Sequence, residues 1–115
     1  MRFTFSANAS SLPECIFSEL LKLSVPIHLS GFWQLCFAIH FFSADPAQSM
    51  CDELYPAVAK AVGNYDWRAI EYSMRRAICA AWNRRDPDIW EQYFPGSRKA
   101  PSNKQFIATL AMRIK

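Results

Sequence analysis

Five side chains able to contact nucleic acid recur at helical spacing in one stretch of the chain, namely Arg68, Glu71, Tyr72, Arg75 and Arg76. At about 100° per residue, Arg68, Tyr72 and Arg75 fall on one side of a helix, with Glu71 and Arg76 on its flanks. In the major groove of DNA an arginine donates two hydrogen bonds to guanine, and a carboxylate accepts one from cytosine. The pattern therefore favours a base-reading helix; an ordinary solvated helix face and a site for another polyanion are the alternatives.

The elements that would position this face are a short helix, a tight turn and a long helix. The Ala- and Val-rich segment 54–62 ends at Gly63-Asn64, a pair typical of a left-handed helix stop. Asp66 is a candidate N-cap for a helix over about 67–84. This order, with a basic outer face on the second helix, predicts a helix-turn-helix over about 54–84 whose second helix enters the major groove.

The opposite side of the long helix is predicted to be buried, and a strip of small residues separates the two sides. The apolar positions are Ile70, Met74, Ala77, Ile78 and Ala81. The strip consists of Ala69, Ser73 and Ala80. Small side chains would let the first helix of the unit approach closely.

Basic side chains outside the reading face are candidates for contacts to DNA phosphates, which raise affinity without selecting a sequence. They are Arg84, Arg85, Arg98, Lys99 and Lys104. Residues 1–59 carry two basic and five acidic side chains, a net charge of −3, whereas residues 60–115 carry eleven basic and five acidic, a net charge of +6. The asymmetry indicates that the second half faces a polyanion, with a chance surface imbalance as the alternative.

The other helices are predicted from their starting signals. They cover about 14–23 after Ser11, 31–42 after Ser30, 46–56 after Asp45, 88–94 after Asp86, and 103–114 after Ser102. The first should bury Ile16, Leu20, Leu21 and Leu23. Pro56 either kinks the third helix or restarts a new one. No alternating strand pattern occurs, so we expect an all-α fold, a single compact bundle of about six helices.

Length and composition fit one packed domain. The chain has 115 residues, of which 51% are hydrophobic, and we expect a flexible N-terminal tail at 1–11 and one domain over 12–115. The four cysteines form no CxxC pair and are interpreted as reduced core thiols. No secretory signal is visible, and the longest apolar run, 31–42, is too short to span a bilayer. These features favour a cytoplasmic protein without a membrane partner.

No arrangement of residues indicates catalysis or a cofactor. Cys36 and His40 have the i, i+4 spacing of a zinc pair, but no second ligand pair accompanies them. The acidic residues of the first half fall on predicted helix surfaces, and no nucleophile, base and oxyanion donor can be combined. The sequence therefore predicts a protein that is not an enzyme and holds no metal.

Four segments resemble a known family in order and spacing. They are VPIHLSGFWQLCFAIHFF, LYPAVAKAVG, IEYSMRRAICAAWNR and KAPSNKQFIATLA. Over roughly 12–114 the chain is similar to the C-terminal DNA-binding effector domain of the stage-zero sporulation regulator A, the response regulator that commits endospore-forming Firmicutes to sporulation. The resemblance implies a transcription regulator that binds short, often tandem, boxes of double-stranded DNA. It also implies head-to-tail self-association on DNA and RNA polymerase as a partner.

The recognition helix departs from the family in part. Residues 70–78, IEYSMRRAI, match the family's Val-Glu-Arg-Ala-Ile-Arg-His-Ala-Ile at Glu71 and Arg75, whereas Tyr72 replaces an arginine and Arg76 a histidine. The turn at 64–66 is one residue longer, and Arg68 would partly compensate for the lost arginine. The family's receiver domain has no counterpart before residue 12, which suggests a stand-alone protein or a fragment.

The competing hypothesis is a helical protein-interaction module that has lost DNA reading and binds a partner regulator. Tyr72 in place of an arginine is its main support.

Overall fold

Six α-helices make up most of the structure, a computed structural model that describes residues 12–63 and 66–114. They are α1 (Glu14–Lys22), α2 (Ser30–Ala44), α3 (Tyr55–Val62), α4 (Trp67–Asn83), α5 (Pro87–Tyr93) and α6 (Asn103–Arg113). A π-helical turn, Met50–Leu54, leads directly into α3. No β-strand occurs in the described residues. The predicted all-α bundle is confirmed, and the predicted tail at 1–11 lies outside the described part of the chain.

The central element is α2, which packs against α1, α3, α4 and α6. It is apolar on almost every side, and most of its residues are buried, as expected for a helix surrounded by others. At Gly31 it lies so close to α4 that a Cβ atom would stand 2.4 Å from the carbonyl oxygen of Ser73 and 2.7 Å from Cβ of Ala77. The sequence suggests that the first helix of the helix-turn-helix approaches the strip of small residues on α4. At Ser73, which belongs to that strip, the close approach is made by α2.

Several helix boundaries follow the local signals of the sequence. The side chains of Asp66, Asp86 and Ser102 each accept a hydrogen bond from a backbone N–H two or three residues later, at 3.0–3.1 Å. Gly63 ends α3 with a φ of 76°, the left-handed conformation that glycine adopts without strain. These four predictions are confirmed.

The predicted helix start at Asp45-Pro46 is wrong. Asp45 instead ends α2, and its carboxylate accepts a hydrogen bond from the backbone N–H of Ala47 in a turn. The next helical segment begins after Ser49, whose hydroxyl accepts from the Asp52 N–H at 3.2 Å while the Glu53 carboxylate accepts from the Ser49 N–H at 2.7 Å. This reciprocal capping box is the stronger signal, because it satisfies two backbone donors at once.

Pro56 lies at the start of a new α-helix, which is the second of the two alternatives that the sequence leaves open. It is the second residue of α3 and follows the π-helical turn, and Tyr55 before it already has right-handed helical dihedral angles. The missing N–H of a proline costs little in the first turn of a helix. The helical path therefore continues from Met50 to Val62.

Three further expectations about individual residues are wrong. Ser30 does not cap α2 but is its first residue, after Leu29. Leu21 is 46% exposed, because α1 turns Ile16 and Leu20 towards α2 and carries Leu21 round to solvent. Two of the four supposed core thiols, Cys15 and Cys51, are exposed, although all four cysteines are free.

Candidate nucleic-acid interface

The inner side of α4 anchors it to the core. All five predicted apolar positions, from Ile70 to Ala81, are fully buried. The 17 residues of α4 present two distinct sides because apolar residues recur every three or four positions. The outer side is therefore held at a defined angle to the rest of the domain.

The first helix of the helix-turn-helix supports the start of α4. The rings of Tyr55, at the start of α3, and Trp67, at the start of α4, stack with centroids 6.1 Å apart and planes 12° apart. The two helices also pack along their length. Of the predicted turn, Gly63 and Asp66 have the expected conformations, and 64–65 lie outside the described residues.

An open groove of about 560 Å³ runs along the outer side of α4. Its other walls are the π-helical turn and the first turn of α6. The residues lining it are Met50, Cys51, Tyr55, Arg68, Glu71, Tyr72, Arg75, Ser102, Asn103 and Lys104. Four of the five predicted base-reading residues and one predicted phosphate contact thus share one surface.

The charge of this groove is predominantly positive. Arg68, Arg75 and Lys104 face a single carboxylate, Glu71. The positive end of the α6 dipole adds to their potential, because α6 begins in the groove wall. A surface of this kind attracts a polyanion.

Arg75 has a structural partner as well as a place in the groove. Its guanidinium donates a hydrogen bond to the backbone carbonyl oxygen of Pro101, two residues before α6, and the side chain is half-buried. A guanidinium carries five N–H donors, so this bond leaves others for a ligand.

Asn103 is a buried polar residue that joins α6 to α4 and to the start of α3. It is 7% exposed, and its amide nitrogen donates to the Glu71 carbonyl oxygen at 3.1 Å and to the Tyr55 hydroxyl at 3.3 Å. Burial raises the pKa of Tyr55, against the opposing effect of the hydrogen bond from Asn103. The hydroxyl therefore stays neutral, and the contact fixes α6 to both helices of the helix-turn-helix.

Tyr72 and Arg76 are both exposed and lie close to each other on the reading face. Tyr72 is 65% exposed, and the Arg76 guanidinium lies 5.9 Å from the centroid of its ring. Arg76 is exposed but does not line the groove. Arg68 lies at the other end of the face, with its guanidinium 5.2 Å from the Trp67 ring.

The loop between α5 and α6 extends the basic surface. Arg98 and Lys99 are exposed and line a shallow recess of about 360 Å³ that shares Ser102 with the groove. Three of the five residues predicted to contact phosphates, Arg98, Lys99 and Lys104, therefore lie on or beside the groove.

The other two predicted phosphate contacts lie at the far end of α4. Arg84 follows Arg68 by sixteen positions, about 24 Å along a helix axis. Arg85 donates to the carbonyl oxygen of Trp82 at 2.7 Å, and its guanidinium lies 3.7 Å from the centroid of the Trp82 ring. The structure does not bring this pair together with the groove.

Five residues that line the groove were not predicted from the sequence as parts of the site: Met50, Cys51, Tyr55, Ser102 and Asn103. The capping signal at Ser102 locates the start of α6 but does not say that this start lies against α4. Their role depends on the packing of segments far apart in the chain, for which the sequence contains no local signal.

Within 12–63 and 66–114, no three His, Cys, Asp or Glu side chains are grouped so that they could hold a metal ion. Burial raises the pKa of the Cys36 thiol to about 12, which keeps it protonated in the core. No helix in the same ranges has both the length and the apolar character needed to cross a bilayer.

An all-helical domain whose helix-turn-helix exposes a basic outer face beside a positive groove belongs to the class of DNA-binding domains. The family model described as the sporulation initiation factor Spo0A C terminal matches residues 16–114, and the chain belongs to this family. It is a family of DNA-binding domains of sporulation-initiation regulators, and not an enzyme family.

Proposed function

We propose that this domain recognises a specific DNA sequence by inserting the outer side of α4 into the major groove. The observation that carries the proposal is that this side opens onto a positive groove, with its inner side locked into the core. A helix fits the major groove, where each base pair presents a distinct pattern of donors and acceptors.

The base contacts are assigned to the five side chains of the reading face. Arg68, Arg75 and Arg76 donate to guanine O6 and N7. Glu71, which shares the groove with Arg68 and Arg75, accepts from a cytosine amino group or orients one of these arginines. Tyr72 contacts a base edge between them.

The phosphate contacts are assigned to the basic residues around that face. We infer that Lys104 in the groove, with Arg98 and Lys99 beside it, holds one DNA strand along α6 and its preceding loop. Arg84 and Arg85 would reach phosphates at the far end of α4, and the stacking of Arg85 on Trp82 leaves Arg84 as the more available of the two.

The family resemblance supports further proposals about partners. We infer binding to short boxes that occur in tandem, head-to-tail association of copies on DNA, and contact with RNA polymerase. The folded unit for these functions would be 12–115, acting at the nucleoid in the cytoplasm.

The experiment that tests the proposal is fluorescence anisotropy with a duplex carrying a tandem sporulation-type box and a scrambled duplex, at two salt concentrations. Binding at least about tenfold tighter to the box, roughly 1.4 kcal/mol, supports sequence reading. Equal affinities with a strong salt dependence would reject this box as the target. A selection from random duplexes would then decide whether the protein prefers any sequence.

One observation favours a second candidate function. Tyr72 is 65% exposed and Met112, on α6, is 75% exposed, and exposed apolar side chains of this size occur at protein interfaces. A protein-interaction module that binds a partner regulator would use such residues. Absence of binding to either duplex at low salt would favour this function over DNA reading.

A further inference from the structure

Tyr72 lies in the middle of the proposed reading face. It lies in the second turn of α4, one helical turn after Arg68 and one before Arg76, and it lines the groove. With 65% of its surface exposed, it is the most exposed aromatic side chain among the large hydrophobic residues of the described chain. On the proposed DNA complex this ring would meet the base edges.

The chemistry of the ring limits what it can contact there. Among the groups that bases present in the major groove, the C5-methyl of thymine is the apolar one, and the others are hydrogen-bond donors and acceptors. An aromatic ring in a polar groove gains most by covering an apolar group, since this removes both surfaces from water. A phosphate contact would instead require the hydroxyl.

Arg76 lies beside the ring of Tyr72. Its guanidinium lies 5.9 Å from the ring centroid, at the outer limit of a cation–π contact, and is itself exposed. The rise from Tyr72 to Arg76 is about 6 Å along the helix, close to the length of two base-pair steps.

We propose that the Tyr72 ring selects a thymine by contact with its 5-methyl group, close to the base pair that Arg76 contacts. This inference rests on the proposed function, since it assigns the specificity of one position within the same reading face. It makes Tyr72 a specificity-determining residue, with the ring carbons and not the hydroxyl as the contacting group.

The test begins with the preferred duplex of the full chain, selected from random-sequence DNA. Each thymine of that duplex is replaced in turn by deoxyuridine, which lacks only the 5-methyl group. Affinities are measured by fluorescence anisotropy for the wild-type protein, Tyr72→Ala and Tyr72→Phe. Because Tyr72 is exposed, we expect both variants to fold as the wild type does, and circular dichroism would verify this.

We expect one replacement to weaken wild-type binding three- to fivefold, about the effect of one buried carbon. Tyr72→Phe should show the same loss, because it keeps the ring, and Tyr72→Ala should be insensitive to that replacement. The inference is overturned when no uracil weakens binding, when Tyr72→Ala keeps the full sensitivity, or when Tyr72→Phe loses it. A selected duplex without thymine also overturns it while leaving the proposed function intact, whereas a selection that enriches no sequence rejects both.

Discussion

The guanidinium of Arg75 donates a hydrogen bond to the backbone carbonyl oxygen of Pro101, which lies 26 residues further along the chain. This bond joins the outer side of α4 to the loop that precedes α6. Arg75 is therefore both a candidate base reader and a tie between two walls of the groove. The two roles have separate measurable consequences.

Arg75→Ala should lower both stability and DNA selectivity. Loss of a half-buried hydrogen bond from a charged donor should reduce the free energy of unfolding by about 1–2 kcal/mol, measured by urea denaturation. Loss of a base contact should weaken binding to the preferred duplex by about 1–3 kcal/mol more than binding to random DNA.

The matched control is Arg76→Ala, which removes the same charge from the next, exposed position. Its free energy of unfolding should change by less than about 0.5 kcal/mol. Equal stability losses in the two variants would contradict the structural role of the bond to Pro101. Equal affinity losses on both duplexes would reduce Arg75 to a phosphate contact.

Gly31→Ala should destabilise the domain, although alanine is the better helix former by about 1 kcal/mol. The added Cβ atom would lie 2.4 Å from a backbone oxygen of α4, which cannot move away without shifting the helix. We expect a loss of about 2–3 kcal/mol in the free energy of unfolding, as for other overpacked cores. The control is Ser30→Ala, at the exposed preceding position, which should change the free energy of unfolding little. A Gly31→Ala variant as stable as the wild type would refute the close packing of α2 on α4.

The features that the sequence predicts correctly are those determined by neighbouring residues. The two sides of α4 follow from the spacing between Ile70 and Ala81, and the starts of α4, α5 and α6 follow from Asp66, Asp86 and Ser102. Each depends on interactions within one or two helical turns. The all-α fold class follows from the same local periodicity.

The features that escaped prediction depend on competition or on distant packing. Asp45 is a residue type that often caps a helix, but the capping hydrogen bonds made by Ser49 and Glu53 set the start of the next helical segment. Asn103 becomes part of the candidate site only because α6 packs beside α4, 32 residues from its partner Glu71. No pattern in a single sequence encodes that neighbourhood.

Glu19 should make stability depend on acid pH. Burial alone would raise its pKa, but hydrogen bonds from Tyr93, Lys22 and Arg113 outweigh burial and hold the pKa below its usual value of 4.5. A carboxyl group with a lowered folded-state pKa stabilises the protein above its unfolded pKa, and the contribution is lost as pH falls through the folded pKa. Glu19→Gln should therefore be less stable than the wild type at pH 7, by on the order of 1 kcal/mol, and the difference should shrink below about pH 4.

Urea denaturation of both proteins at pH 7 and pH 3 measures this change. Glu14→Gln, on the exposed side of the same helix, serves as the control for loss of a carboxylate from α1. A wild-type advantage over Glu19→Gln that is the same at both pH values would show that the Glu19 charge contributes nothing to stability.

Lys99→Ala should weaken DNA binding without changing its selectivity. Lys99 is exposed in the recess beside the groove, and we propose that it contacts a phosphate and not a base. The variant would neutralise one phosphate fewer, so the slope of log affinity against log salt concentration should become shallower by about 0.9. The affinities for the preferred and the scrambled duplex should fall by the same factor. Lys22→Ala removes the same charge from α1, away from the groove, and should leave the slope nearly unchanged. Identical slopes for the two variants would indicate that only net charge matters, and a loss confined to the preferred duplex would make Lys99 a base reader.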